Sequence, residues 1–102
     1  MSMALYILQI LRTDLMVVFS WGFHAPRAIN DGLSFLVAGY KFNGKIIVKY
    51  DDGADLFNVR FEGKPYIAPI EGIYIDQLVD VIDGAVERTD DYQERVKNQY
   101  SL

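Results

Sequence analysis

The sequence contains no cysteine, and it has a single histidine and a single tryptophan among its 102 residues. Without cysteine the chain has no disulfide, no thiol nucleophile and no zinc–thiolate site. One histidine provides neither a histidine cluster for a metal nor an evident nucleophile–base pair. We therefore expect a non-enzymatic protein with no metal and no cofactor. An active site assembled from dispersed residues is the alternative that the sequence leaves open.

Long apolar runs and a surplus of basic residues are also missing. The apolar stretch at residues 3–11 is followed by Arg12, Thr13 and Asp14, so it falls short of the roughly 20 residues of a membrane-spanning helix. No basic segment precedes it, as a secretory signal peptide would require. The net charge of −4 argues against a general nucleic-acid-binding protein. We expect one soluble, cytoplasmic domain over residues 1–102 that does not associate with membranes.

Hydrophobic periodicity predicts an α+β fold that begins with a helix. Leucines at near-helical spacing favour a helix over residues 3–13, while the apolar character of this segment on all sides leaves a strand as the alternative. Residues 15–21 are rich in valine and aromatic residues and predict a buried strand. Residues 22–32 predict a loop that ends in an Asn-Asp-Gly turn.

Three further strands complete the prediction of a four-stranded antiparallel meander. They span residues 33–40, 45–50 and 56–62, and the last two alternate apolar and polar side chains. Asn43-Gly44 predicts a hairpin turn between the first two of them, and residues 66–68 predict a short edge strand. The side chains expected in the core are Ile46, Val48, Phe57, Val59 and Phe61.

One or two C-terminal helices are predicted to pack on one face of this sheet. The apolar stripe of the first helix consists of Ile75, Val79, Ile82 and Val86, joined by Leu78 and Ala85. A second helix is predicted to begin near Asp90. Its apolar residues Tyr92, Val96 and Tyr100 pack either on the domain or on a second copy of the chain, so a homodimer is left open.

The C-terminal third is the acidic part of the chain, with eight acidic against three basic residues from residue 70 onward. Four of these acids recur at helical spacing and predict an acidic stripe: Asp76, Asp80, Asp83 and Glu87. Like charges one turn apart repel by a few tenths of a kcal/mol. The stripe therefore indicates a basic protein partner or an acidic surface that mimics nucleic acid, and the alternative is the ordinary solvated face of an amphipathic helix.

Three other groups of residues are candidates for binding. Trp21, His24 and Arg27 lie around Gly22 and form a candidate site for a small ligand, unless the aromatic residues merely anchor the loop. Lys45, Lys49 and Arg60 are predicted on the outward sheet face near Tyr40, where single-stranded nucleic acid is the alternative partner. The acidic turn at residues 51–55 lacks the full calcium-loop pattern, because the residue at position twelve lies in a strand.

Three segments carry a resemblance to a group of known proteins. They are LMVVFSWGFH at residues 15–24, GYKFNGK at residues 39–45 and DQLVDVID at residues 76–83. In these segments the chain resembles small uncharacterised proteins of gut Bacteroidales and of their phages or mobile elements. The resemblance implies an accessory protein of a mobile element and assigns no residue a role. The sequence as a whole favours a small interaction protein that acts through its acidic helix face or a dimer surface.

Overall fold

The computed structural model describes residues 2–88, which form an α+β fold with an antiparallel sheet. The predicted helix near Asp90 and its apolar stripe lie outside the described residues. In chain order the elements are α1 (Met3–Arg12), α2 (Leu15–Ser20), β1 (His24–Ile29), β2 (Gly32–Ala38), β3 (Asn43–Asp51), β4 (Leu56–Lys64), β5 (Ile70–Ile73), a 3-10 turn (Ile75–Gln77) and α3 (Leu78–Val86).

The five strands form a meander in which each strand pairs with the next one along the chain. The central pair, β3 and β4, matches nine residues on each strand, with Val48 opposite Val59 and Ile46 opposite Phe61. The α+β class and the antiparallel sheet are confirmed, and the sheet has five strands where the sequence predicted four.

One face of the sheet packs against the helices and forms a single core. Inward side chains of the strands meet Ile7 and Leu11 of α1, Val18 of α2 and Ile82 of α3. The five sheet residues expected in the core are all buried: Ile46, Val48, Phe57, Val59 and Phe61. The opposite sheet face is open among the described residues, and it carries most of the charged side chains of β3 and β4.

The strand predicted at residues 15–21 is wrong, because this segment forms the helix α2 and its end. Burial follows helical rather than alternating spacing. Val18 and Trp21 are buried three residues apart, whereas Phe19 between them and Met16 before them are exposed. Valine and aromatic residues favour a strand only where they fit a pleated sheet surface, so packing of this segment beneath the sheet overrode the preference.

The loop predicted at residues 22–32 contains the edge strand β1 instead. Nearly all of β1 is exposed, so its sequence shows no apolar alternation, and Pro26 is tolerated because the strand lies at the edge. The last strand, β5, likewise lies beyond the predicted edge piece at residues 66–68.

The hairpin predicted at Asn43-Gly44 is displaced by a few residues. Both residues already pair with β2, opposite Ala38 and Val37, and the turn spans residues 39–42. Its closure is a hydrogen bond from the Gly39 N–H to the Phe42 carbonyl oxygen, 2.9 Å between nitrogen and oxygen. Phe42 is fully buried, so the core contact of this aromatic side chain decided the position of the turn.

Candidate functional site

A surface cleft runs along one side of α1, between this helix and the segment that leads into α3. The residues of α1 and its C-terminal cap that line it are Met3, Tyr6, Ile10 and the cap residue Thr13. Their spacing of three and four residues places them on one face of the helix. The opposite wall comes from the 3-10 turn and the first turn of α3. The cleft consists of two adjoining grooves that share Ile75 and Asp76.

The first groove, which we call the acidic groove, has a volume of about 420 Å³. Its carboxylates are those of Asp14, Asp76 and Asp80, and its remaining walls are largely apolar. None of the side chains that line it is basic. The full set of lining residues is Ile10, Thr13, Asp14, Ile75, Asp76, Val79 and Asp80.

The second groove, which we call the tyrosine groove, has a volume of about 430 Å³. Three tyrosines and two aspartates line it together with apolar residues, and no basic side chain contributes. Tyr6 and Tyr74 are 38% and 61% exposed, so their rings are accessible from solvent. The full set of lining residues is Met3, Tyr6, Tyr50, Ala54, Asp55, Phe57, Tyr74, Ile75 and Asp76.

The third tyrosine, Tyr50, is held in place by two contacts. Its hydroxyl donates a hydrogen bond to Asp55 Oδ1 at 2.6 Å, and its ring packs at a tilt against Phe57 with 5.3 Å between the ring centres. The hydrogen bond to Asp55 raises the pKa of Tyr50 from 10.0 to about 12, because a phenolate would lie beside a carboxylate. Tyr50 is therefore a neutral donor at physiological pH.

This raised pKa predicts an alkaline dependence of stability. The folded protein holds the Tyr50 proton more tightly than the unfolded chain, so the contribution is complete below pH 10 and is lost as the pH rises toward about 12. Urea unfolding across that pH range should show a steeper loss of stability in wild type than in Tyr50→Phe, which has no phenol to ionise. If the free energy of unfolding fell equally steeply with pH in the two proteins, the raised pKa of Tyr50 would be contradicted.

The acidic stripe predicted on the C-terminal helix is only partly a surface feature. Asp76 and Asp80 are exposed and line the cleft. Asp83 is buried, with 5% of its surface exposed, which corrects the expectation that it lies on a solvated face. The reason is the rotation of α3: Leu78, Ile82 and Val86 face the core, and Asp83 lies on the flank of that stripe.

Asp83 connects the core to the end of α3. Its Oδ1 accepts a hydrogen bond from Trp21 Nε1 at 3.0 Å, and its Oδ2 lies 3.1 Å from a guanidinium nitrogen of Arg88. The same guanidinium nitrogen lies 3.8 Å from Asp80 Oδ1. Both carboxylate oxygens of this buried side chain are thus engaged within the protein, which gives Asp83 a structural position.

Glu87, the last residue of the predicted stripe, contacts the β2–β3 turn. Its Oε2 accepts the Tyr40 N–H at 2.7 Å. Lys41 of the same turn donates its backbone N–H to the Val86 carbonyl at 2.7 Å and its ammonium to the carbonyls of Gly84 and Arg88. A cation at these carbonyls satisfies orphan acceptors and the negative end of the helix dipole. The turn thus caps the C-terminus of α3.

The open sheet face carries the cations that the sequence placed there. Lys45, Ile47 and Lys49 are two residues apart on β3 and so share one face of the sheet. Ile47 lies opposite Arg60 on β4, so the three cations share this face as predicted. Arg27 of β1 lies opposite Ser34 and adds a fourth cation, which was not expected on the sheet because its segment was predicted to be a loop. Arg60 forms an exposed ion pair with Glu62 at 3.4 Å. On β2, β3 and β4 this face has no aromatic side chain. Its side chains include Ser34, Leu36, Lys45, Ile47, Lys49, Asn58, Arg60 and Glu62.

The residues proposed for a small-ligand site are separated by burial. Trp21 is fully buried and stacks on Phe35, with 6.4 Å between ring centres. His24 is exposed and its Nδ1 lies 2.7 Å from the Gly22 carbonyl oxygen. Arg27 lines a shallow groove of about 410 Å³ on the open sheet face, to which neither Trp21 nor His24 contributes. The three side chains do not form one site.

The acidic turn between β3 and β4 uses its first carboxylate locally. Asp51 Oδ1 accepts the backbone N–H groups of Gly53 and Ala54 at 3.1 and 3.3 Å, which is the usual reason for aspartate in such turns. Within residues 2–88 no group of three or more acidic or histidine side chains is arranged to hold a metal ion.

Among the residues that complete the cleft, the sequence did not single out Asp14, Tyr6 or Tyr74, and it indicated Asp55 only as part of the acidic turn. A signal for the α1 wall was present, because Met3, Tyr6, Ile10 and Thr13 recur at helical spacing beside the leucine stripe. Asp55 and Tyr50 reach the cleft only because the β3–β4 hairpin lies close to α1. No local sequence pattern predicts that long-range contact.

Comparison with known proteins leaves the site to be interpreted from its geometry. No helix in the described part of the chain is both long enough and apolar enough to cross a membrane. No family model, no curated protein and no solved structure matches the chain.

Proposed function

We propose that this chain is a small non-enzymatic interaction protein that binds a basic segment of another protein in the cleft along α1. The observation that carries the proposal is the composition of the cleft. All four charged side chains that line it are aspartates: Asp14, Asp55, Asp76 and Asp80. A concave surface of a single charge sign attracts a partner of the opposite sign and speeds its association.

Apolar side chains that line the cleft support a peptide-like partner over a free cation. Ile10, Ile75 and Val79 line the acidic groove and are each partly exposed. Contact with these side chains would remove apolar surface from water, which contributes roughly 25 cal/mol for each Å² buried. A basic segment with interspersed apolar residues matches both features of the surface.

The length of the cleft suggests how much of the partner it accommodates. From Met3 to Thr13 the axis of α1 advances by about 15 Å, at about 1.5 Å per residue. An extended peptide advances about 3.3 Å per residue. The cleft therefore suits an extended segment of about four or five residues.

The broader setting belongs to the same proposal. An accessory protein of a mobile element, as the sequence resemblance implies, would act by binding another protein. A cytoplasmic location agrees with the absence of cysteine, which suits a reducing compartment. The nucleic-acid alternative stays a prediction. The open face offers cations for phosphates but, on the three central strands, no aromatic ring on which bases could stack.

The test is to neutralise the exposed carboxylates of the cleft. Asp76→Asn with Asp80→Asn should weaken binding of a fluorescent basic–apolar pentapeptide about tenfold, because two exposed charge pairs of up to about 1 kcal/mol each are lost. Binding should also become less sensitive to salt. Fluorescence anisotropy at several salt concentrations measures both effects.

A matched control removes the same charge from the other side of the sheet. Glu62→Gln with Glu71→Gln changes two exposed acids outside the cleft and should leave peptide affinity within about twofold of wild type, since exposed charges beyond a Debye length are screened. Equal weakening by both double variants would mean that only net charge matters. The cleft would then not be the binding site.

A further inference from the structure

We infer that the tyrosine groove is an arginine pocket, which receives one arginine side chain of the basic segment. This inference rests on the proposed function and adds the identity of the side chain that is recognised. Tyr6, Tyr50 and Tyr74 line the groove from three different elements, α1, β3 and the segment before the 3-10 turn, and Asp55 and Asp76 line it with them.

The lining of the groove matches the two properties of a guanidinium group. The group is planar and weakly hydrated, so it stacks on aromatic faces, and it carries several N–H donors that suit carboxylate oxygens. Tyrosine rings attract cations through their electron-rich faces, by about 0.5–1 kcal/mol at exposed sites. A groove with three tyrosines and two carboxylates offers both types of contact at once.

The groove is partly organised before any partner binds. The hydroxyl of Tyr50 is engaged with Asp55 and its ring rests on Phe57, so this wall has one orientation. A wall that is already ordered costs less conformational entropy on binding. Asp76 is shared with the acidic groove, and so an arginine held here leaves the following residues of the peptide beside Asp14 and Asp80.

The three tyrosine rings of the groove favour arginine over lysine as the bound side chain. A lysine ammonium is a compact, strongly hydrated charge that makes few contacts with flat surfaces, whereas guanidinium stacks on them. Two pentapeptides that differ only in arginine or lysine at the basic positions separate the two possibilities. We expect the arginine peptide to bind wild type about tenfold more tightly.

The decisive variants remove the rings and keep the charges. Tyr6→Leu with Tyr74→Leu should weaken the arginine peptide about tenfold and reduce its preference over the lysine peptide to about twofold or less. Tyr6→Phe with Tyr74→Phe keeps both rings and should retain most of the affinity. Tyr66→Leu, at an 82% exposed tyrosine outside the cleft, is the matched control and should bind as wild type does. Melting temperatures establish that each variant is folded.

The outcomes separate this inference from the proposed function. If the aspartate variant weakens binding but the leucine variant does not, the cleft binds basic segments and the arginine pocket is wrong. Equal affinity of wild type for the two peptides overturns the pocket in the same way. If neither peptide binds wild type at low salt, the proposed function and the pocket are both overturned.

Discussion

Asp83→Ala should lower the free energy of unfolding by about 3 kcal/mol. The substitution leaves the buried Trp21 Nε1–H without its acceptor, which costs about 1–3 kcal/mol, and removes the buried partner of Arg88. Asp83→Asn should be milder, because the amide oxygen can still accept the tryptophan hydrogen bond. Trp21 is the only tryptophan, so its fluorescence during urea unfolding reports directly on this contact.

Asp80→Ala is the matched control for this experiment. It lies one turn earlier on α3, its side chain is 74% exposed, and its ion pair with Arg88 is long at 3.8 Å. We expect a change within about 0.5 kcal/mol, as is usual for exposed positions. If Asp83→Ala were as mild as Asp80→Ala, Asp83 would not have the structural role that its contacts indicate.

Phe57→Ala and Phe61→Ala should each lower the free energy of unfolding by about 3–5 kcal/mol. Both rings are buried, at 3% and 8% exposure, and both project from β4 toward the helices. Phe61 packs edge-on against Phe42, with 5.6 Å between ring centres, so its loss would leave a cavity beside a second buried ring. For a domain of this size the loss is a large part of the total stability.

Arg60→Ala provides the control on the same strand. Its side chain lies on the open face and is 62% exposed, and an exposed ion pair with Glu62 contributes about 0–1 kcal/mol. Denaturation midpoints of the three variants should therefore fall into two groups. Midpoints for Phe57→Ala and Phe61→Ala that match Arg60→Ala would contradict the register of β4.

The parts of the fold that could be predicted from sequence are those with a clear contrast between two faces. On β3 and β4 apolar and polar residues alternate because one face is buried and the other open, so Val48 and Val59 were assigned to the core correctly. On β1 nearly every side chain is exposed, and the alternation that identifies a strand is absent. Only the pairing of its backbone with β2 makes it a strand.

The candidate site was harder to predict because two of its features depend on tertiary contacts. Helical spacing correctly placed Asp80 and Asp83 on one helix, whereas Asp76 lies in the 3-10 turn that precedes it. Spacing also could not show that Trp21 would approach Asp83 from 62 residues away. The tyrosine groove depends on contacts of the same kind. Its three rings come from positions 6, 50 and 74, which no local pattern links.

The outer strands of the sheet also determine how copies of this protein can meet. At one edge, β1 contains Pro26, a bulge between His24 and Arg27, and Ala25 with a φ of 52°. At the other, β5 has four residues and includes Gly72 with a φ of 71°. Short, irregular or proline-bearing edges resist the addition of a further strand. Pairing of two copies through either edge of the sheet in residues 2–88 is therefore disfavoured, and so is fibrillar growth through the sheet.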